Sequence, residues 1–311
     1  AMMVDGIANY VNRDPINSSI ASFNFKTHVF TFAKEEPGIT IDPDDLYHQL
    51  TETLDSGVTA KTIVVTLEKA MPALTEEDMI NKFGLISSCS LSIPEDSLQA
   101  TNVRMSTQAV NGIAVLPGEI FSFNMATGER TAAKGYIIPD REDPNYEKLY
   151  RAVSLTSSVL LGAVIRADLD IYERNPFAKP SEIVEIGQEA AVSWPGLDFR
   201  FKNDKDWPIF IVASYTDGEL NIELYGERLE DGKRIDTESK LVKTLPQPEG
   251  TNYVINTNLT PGESKTTIAG REGYVVETSK IWYQGDKEIR RELVFTTTYR
   301  AYQKTVEYNP K

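Results

Sequence analysis

AVSLTSSVLLGAVIRA, residues 152–167, is the stretch on which the architecture turns. Val153, Val159, Leu160, Leu161, Val164 and Ile165 cover most of a helical circumference instead of one stripe. A helix apolar on most sides has to be covered by neighbours on several of them. The stretch therefore predicts a buried helix over 152–167 inside a mixed α+β domain. On its N-terminal side, Leu85–Ile93 alternates as a strand, Ser97 stands where a helix running to Asn111 wants its cap, and Gly118–Phe123 returns to strand before a polar stretch at 139–147. On its C-terminal side, Ile183–Tyr225 reads as several strands separated by the turn signals Trp194-Pro195-Gly196, Asn203-Asp204 and Asp217-Gly218.

The flanks have characters of their own. Ile7–Val11 is helical, Ile20–Phe25 and Val29–Phe32 alternate like a hairpin, and Lys61–Leu67 is a β-branched strand. Between them Asp42 caps a helix that has Pro43 at its first position, Asp44 and Asp45 at the positive end of the dipole, a Leu46/Leu50/Leu54 stripe and Gly57 as its stop. Thr75 and Asp78 form a capping box for a short helix ending near Phe83. Residues 231–250 contain Asp231-Gly232 and Pro246-Gln247-Pro248-Glu249-Gly250, a charged run with little to bury, and read as a linker. Beyond them, Val275–Tyr283 and Leu293–Tyr302 alternate around Gly285-Asp286. The expectation is a multi-domain α+β protein: a small α+β N-terminal domain at 1–83, a mixed α+β domain at 84–230, a linker at 231–250 and a β-rich module at 251–311.

Composition narrows the function classes. A length of 311 residues suggests two or three domains, and 41% hydrophobic with 25% charged residues suffices for folded, soluble ones. The formal charge of −14, from 46 acidic against 32 basic residues, repels phosphate backbones and anionic headgroups, so nucleic acid is not an expected partner. No stretch has the ~18 apolar residues of a membrane span, and Ala1-Met2-Met3-Val4-Asp5 lacks the order of a signal peptide. Membrane contact is expected only through an N-terminal anchor removed before residue 1. The lone cysteine, Cys89, excludes an internal disulfide framework and a cysteine zinc cluster, and its place in a strand reads as a small buried hydrophobe. Asp42, Asp44 and Asp45 superficially suggest a calcium loop, but Pro43 and the leucines after it favour helix capping. Neither metal nor cofactor is expected.

Leu85-Ile86-Ser87-Ser88, Asn102-Val103-Arg104, Asn111-Gly112, Leu116-Pro117-Gly118-Glu119-Ile120-Phe121-Ser122-Phe123-Asn124 and Gly128-Glu129-Arg130-Thr131 stand in the order and spacing of a known block. With Ser157-Ser158, Leu169–Arg174, Leu197–Asn203 and Trp207–Ile211, they make residues 84–226 resemble the VanW family, which occurs widely in Gram-positive bacteria. Residues 5–80, with Val11-Asn12-Arg13, Pro15-Ile16 and Gly38, resemble the peptidoglycan-binding-like domain that often precedes it. Residues 251–311, notably Leu259–Glu263 and Gly270–Tyr274, resemble the G-five module with fewer glycines than its pattern. Together these resemblances imply an extracytoplasmic, wall-associated surface protein, membrane-anchored in its full-length form.

In some VanW members a cysteine, preceded by a glycine triplet and followed by a serine pair, is regarded as the nucleophile of an L,D-transpeptidase that cross-links peptidoglycan. Setting Ser157-Ser158 on the serine pair puts Ser154 at the cysteine, and Tyr150, Arg151 and Ala152 at the glycines. The family's histidines fall on Phe177 and Thr101, and neither His28 nor His48 is in this domain. The resemblance thus implies no catalytic residue and leaves Ser154, Ser157, Asn102 and Arg104 as candidate substrate-binding positions at a degenerate site. It implies a binding or scaffolding protein with peptidoglycan or its stem peptides as partner. The alternative is a transpeptidase-like enzyme in which Ser154 works with a lysine base, Lys148 or Lys179. Under the first reading Tyr150, Arg151 and Phe177 fill the former site, no deep cleft converges on Ser154, and its hydroxyl bonds locally.

Overall fold

The computed structural model describes residues 2–58, 60–140 and 146–310. It divides into two compact units, Ala1–Gly84 and Leu85–Lys311. The first contains α1 (Met2–Val11), β1 (Ser19–Asn24), β2 (Val29–Ala33), β3 (Gly38–Ile41), α2 (Pro43–Asp55), β4 (Leu67–Ala70) and α3 (Glu76–Lys82). β1 and β2 form an antiparallel hairpin carrying Phe23, Phe30 and Phe32, and the last two also meet Phe83. The Asp42 carboxylate accepts the N–H groups of Asp44 and Asp45 at 2.9 and 3.2 Å, so the acidic cluster caps α2. Thr75 and Asp78 close their capping box on α3. The strand expected at 61–67 is not formed: β4 starts at Leu67 and pairs with β3. Ile63 and Val65 instead pack on the cluster of Val4, Ala8, Ile41 and Leu46. Their alternation reflects that one-sided packing and not a ladder.

The second unit continues from β5 (Phe83–Ser92) through α4 (Ala100–Val110), β6 (Ile113–Val115), β7 (Ile120–Ser122), α5 (Phe123–Thr127), α6 (Tyr146–Arg166), β8 (Asp170–Glu173), β9 (Arg200–Lys202), β10 (Ile209–Thr216) and β11 (Glu219–Glu227). One sheet runs β5-β11-β10-β6 and another β7-β9-β8. α6 packs against α4 and β11, with Leu155, Leu160, Leu161, Val164 and Ile165 buried beside Phe199, Phe201, Ile211 and Leu224. Its stretch Leu149–Arg166 is long and apolar enough to cross a membrane, yet most of it is buried inside the protein.

Two expectations fail here. Ser97 does not cap α4, which starts behind Gln99 without a side-chain cap; Ser97 accepts Ala100 N–H through its carbonyl in the preceding turn. Residues 183–199 hold no strand: serine side chains of α6 bond the backbone of Ala190 and Val192, and isolated backbone bonds such as Ala191 N–H to Asn175 O take the place of a ladder. The polar stretch 139–147 falls largely on 141–145, outside the described residues.

The remaining strands are β12 (Lys233–Leu245), β13 (Thr251–Ile255), β14 (Ser264–Ile268), β15 (Gly273–Gln284), β16 (Lys287–Tyr299) and β17 (Lys304–Tyr308), in sheets β12-β15-β16 and β13-β17-β14. The linker expected at 231–250 is mostly β12, paired with β15 from Lys233–Gln284 to Leu245–Gly273. Its partners explain the misreading. Thr237 donates to Gln188 Oε1 at 3.0 Å and Ser239 accepts from Gln188 Nε2 at 3.4 Å, so polar residues occupy positions where a strand signal needs apolar ones.

The β12-β15-β16 sheet is fixed to the α6 core by a buried network. Arg174 donates to Thr297 Oγ1 at 2.7 Å, to the carbonyls of Glu189 and Gly187 at 2.6 and 2.9 Å, and lies 4.7 Å over the Phe295 ring. Tyr299 donates its hydroxyl to the fully buried Glu189 carboxylate, 2.7 and 2.6 Å from its oxygens. Burial, reinforced by that carboxylate, pushes the Tyr299 hydroxyl far up.

Candidate functional site

α6 begins at Tyr146, not at Ala152. Glu147, Leu149 and Arg151 are helix formers, and Glu147 and Arg151 are paired at i,i+4 at 3.7 Å. Ser154 therefore sits about two turns inside the helix, away from the positive dipole end that would activate a nucleophile.

Ser154, Ser157 and Ser158 share a buried face of α6 and clasp the segment 190–192. Ser154 Oγ accepts Val192 N–H at 3.1 Å and donates to Val192 O at 3.4 Å. Two residues away in that segment, Ala190 N–H donates to Ser158 Oγ at 2.9 Å, and Ser157 Oγ donates to Ala190 O at 2.5 Å. Ser158 also donates to Ser154 O at 2.6 Å. Side-chain hydroxyls here do the work of a neighbouring strand, satisfying buried backbone groups of an extended segment. The Ser154 hydroxyl is committed to Val192, and Lys179 bonds the Glu147 carboxylate. The Lys148 side chain lies outside the described residues.

A groove of about 510 Å³ nevertheless opens beside this position. Ser154 contributes to its wall while only 3% exposed; its principal sides are Tyr146, Tyr150, Arg151, Phe177, Arg300 and Tyr302. Filling from within is thus partial. Phe177 is buried beneath Arg151, whose guanidinium is 5.5 Å from its ring, but Tyr150 stacks on Tyr146 and stays half exposed. Arg271, beside the groove, lies 4.6 Å over Tyr302 and donates to Ala178 O at 2.8 Å. Glu147 is held below the usual carboxylate range by the Lys179 hydrogen bond, against the opposing effect of burial. Arg151 and Arg300 line the groove against the single acidic residue Glu147, so its wall is mildly basic on a chain of charge −14.

The other expected positions separate. Asn102 is buried, accepts Ile137 N–H at 2.7 Å and donates to Ile137 O at 2.8 Å, pinning that loop to α4; it also lines a second pocket of about 230 Å³. Arg104 belongs to neither cavity: it pairs with Glu95 at 3.4 Å and lies 5.3 Å over Tyr215. Sequence reasoning missed Arg300 and Tyr302, which follow the end of β16, and Arg130 in the second pocket. Tyr146 and Tyr150 carried a signal, an i,i+4 aromatic pair, that was hidden by starting the helix too late. Among the described residues no group of three or more His, Cys, Asp or Glu is arranged to hold a metal.

A family model for VanW-like protein matches residues 98–225, and one for the G5 domain matches 238–311, starting within the expected linker and inside β12. The uncharacterized protein YoaR of Bacillus subtilis (strain 168) is 39% identical over 128 residues, which cover 40% of this chain and 42% of that relative. Two solved structures are similar: an IgA1 protease G5 domain, at 20% identity and a TM-score of 0.17 over 26% of this chain and 94% of that one, and HP0197-G5, at 17% and 0.13 over 24% and 97%. The chain therefore carries a VanW domain at residues 98–225 and a G5 domain at 238–311, two domain types linked to the bacterial cell wall.

Proposed function

We propose that this chain is a non-catalytic binding or scaffolding protein of the cell wall, working outside the cytoplasm of a Gram-positive-type bacterium, whose ligand groove is built jointly by the VanW and G5 domains. The observation that supports this best is the serine clasp: the hydroxyl at the nucleophile position is buried and bonded to Val192 on both sides. A general base would have to break those bonds first. What the groove offers is recognition. Tyr146, Tyr150 and Tyr302 present aromatic faces, and Arg151 and Arg300 present cations. That combination suits a wall polymer with sugar rings and carboxylate-bearing stem peptides. The first unit adds a second wall contact in this reading.

Sedimentation with purified insoluble peptidoglycan tests it. The wild-type chain is expected to pellet, and Arg300→Ala combined with Tyr302→Ala to lose at least tenfold in affinity, with binding weakened by salt. Incubation with muropeptide donors and acceptors should yield no cross-linked product. A product that disappears in Ser154→Ala would overturn the reading in favour of a transpeptidase.

A further inference from the structure

The second pocket lies across Tyr150 from the junction groove, and the two share Tyr150 and Val192 in their walls. Its sides include Arg130, Tyr136, Ile137, Leu149, Tyr150 and Trp194. Arg130 is unusual among the described residues. Its Nη2 donates to Asn124 Oδ1 at 2.7 Å, while its Nε and Nη1 are closed off from solvent and have no hydrogen-bond partner there.

Asp198 offsets part of the charge but not the missing acceptors. Its oxygens already take the Ser122 hydroxyl at 2.5 Å and the N–H groups of Asn124 and Phe199 at 2.9 and 2.8 Å. Burial lowers the pKa of the guanidinium, against the fields of Tyr136, Asp198 and Tyr150. Buried donors on a charged group are among the costliest to leave unsatisfied, and native proteins rarely do so without a reason.

We propose that this pocket binds a carboxylate through Arg130, specifically the C-terminal carboxylate of a short peptide whose last residue is small and apolar. A carboxylate only accepts hydrogen bonds, as these donors require, and its charge favours the desolvated guanidinium more than a neutral carbonyl would. The rest of the wall is largely hydrocarbon, from Ile137, Ile138, Pro139, Leu149 and Val153. A volume of about 230 Å³ corresponds to roughly eight water molecules, room inside the pocket for a carboxylate and one or two small residues. Glu129, exposed in the same wall, disfavours polyanions and leaves a single carboxylate as the better match. Because the free donors are shut off from water, binding includes a small side-chain displacement. The site does not rest on the occupant of the junction groove, since its donors and cavity are different.

N-acetyl-alanyl-alanine, in its L,L and D,D forms, is the probe, compared with its C-terminal amide and with inorganic phosphate in an NMR titration of the full chain. The free acid is expected to give saturable shifts of the Trp194 indole and Ile137 amide signals, and the amide and phosphate to bind at least tenfold more weakly. Arg130→Gln should weaken the acid at least tenfold. Arg130 also holds Asn124, so Ile138→Trp serves as a second variant: it obstructs the pocket without touching Arg130 and should weaken the acid similarly while leaving the melting temperature unchanged. Equal binding of acid and amide, tighter binding of phosphate, undiminished binding in either folded variant, or the absence of any saturable shift would each overturn the proposal. Sedimentation with peptidoglycan through Arg300 is a separate readout, so failure here leaves the junction groove standing.

Discussion

A methyl group added at Gly162 would lie 2.6 Å from the sulfur of Cys89 and 3.3 Å from its Cβ, so the middle of α6 is glycine because a strand side chain already fills that space. Gly162→Ala is expected to cost about 1–3 kcal/mol in denaturant unfolding, and Cys89→Ala in the same chain to restore most of it. Non-additivity is the diagnostic; two independent losses would refute the contact. Burial raises the Cys89 thiol above its ordinary pKa, and the partly opposing charge of Arg166 does not cancel the effect. Native labelling by a thiol reagent should therefore be slow at neutral pH and fast in denaturant. In the clasp, Ser158→Ala strands Ala190 N–H in a buried place and is expected to cost about 1–3 kcal/mol. The resemblance to the VanW pattern puts Ser154 at the cysteine position, but nothing local to it announces a partner at Val192. Side-chain-to-backbone bonds across such a separation leave no periodicity to read.

Elements were legible where one face does one thing. α2 and α3 follow from their caps, β5 from its alternation, and the apolar half of α6 from its all-round hydrophobicity. Failure came where burial is polar or one-sided. β12 half-buries Thr237 and Ser239 against Gln188 and so passes for a linker, while Ile63 and Val65 pack on one side against Val4, Ala8, Ile41 and Leu46 and so pass for a strand. The start of α6 was misplaced because Tyr146, Glu147 and Arg151 face a groove and not a core. A thirteen-residue strand paired along its length opens only at substantial free energy. Limited proteolysis should therefore spare residues 233–245 and cut first elsewhere, with 60–66, which hold neither helix nor strand, among the early sites. An initial cut inside 233–245 would show that the two domains are tethered and not joined.

Across residues 85–311 the Arg174–Glu189–Tyr299 network makes two separately recognisable domains one mechanical body. Tyr299→Phe removes a donor from a buried carboxylate and is expected to cost on the order of 3 kcal/mol. Calorimetry should show the VanW and G5 transitions moving together, and a split into two peaks in the wild type would refute the coupling. Asp168 and Lys280, 2.7 Å apart, form another tie between the end of α6 and β15. Burial works to raise the Asp168 pKa, but the hydrogen bond and charge of Lys280 hold it below the ordinary value. A depressed folded pKa stabilises above the unfolded value, about 3.9, and that contribution is lost as the pH falls through the folded one. The melting temperature should thus decline on acidification below about pH 4, and less steeply in Asp168→Asn, which starts lower at neutral pH. The clasp on segment 190–192 has a different kind of consequence. Its hydroxyls hold main-chain atoms alone, so they are indifferent to which side chains that segment carries. Ala191 and Val192 form part of the groove wall, and Val192, Ser193 and Trp194 part of the pocket wall. Ala190 and Val192 are core residues, but Ala191, Ser193 and the exposed Trp194 can change without loosening the clasp, as one swaps the key profile of a lock whose casing stays the same.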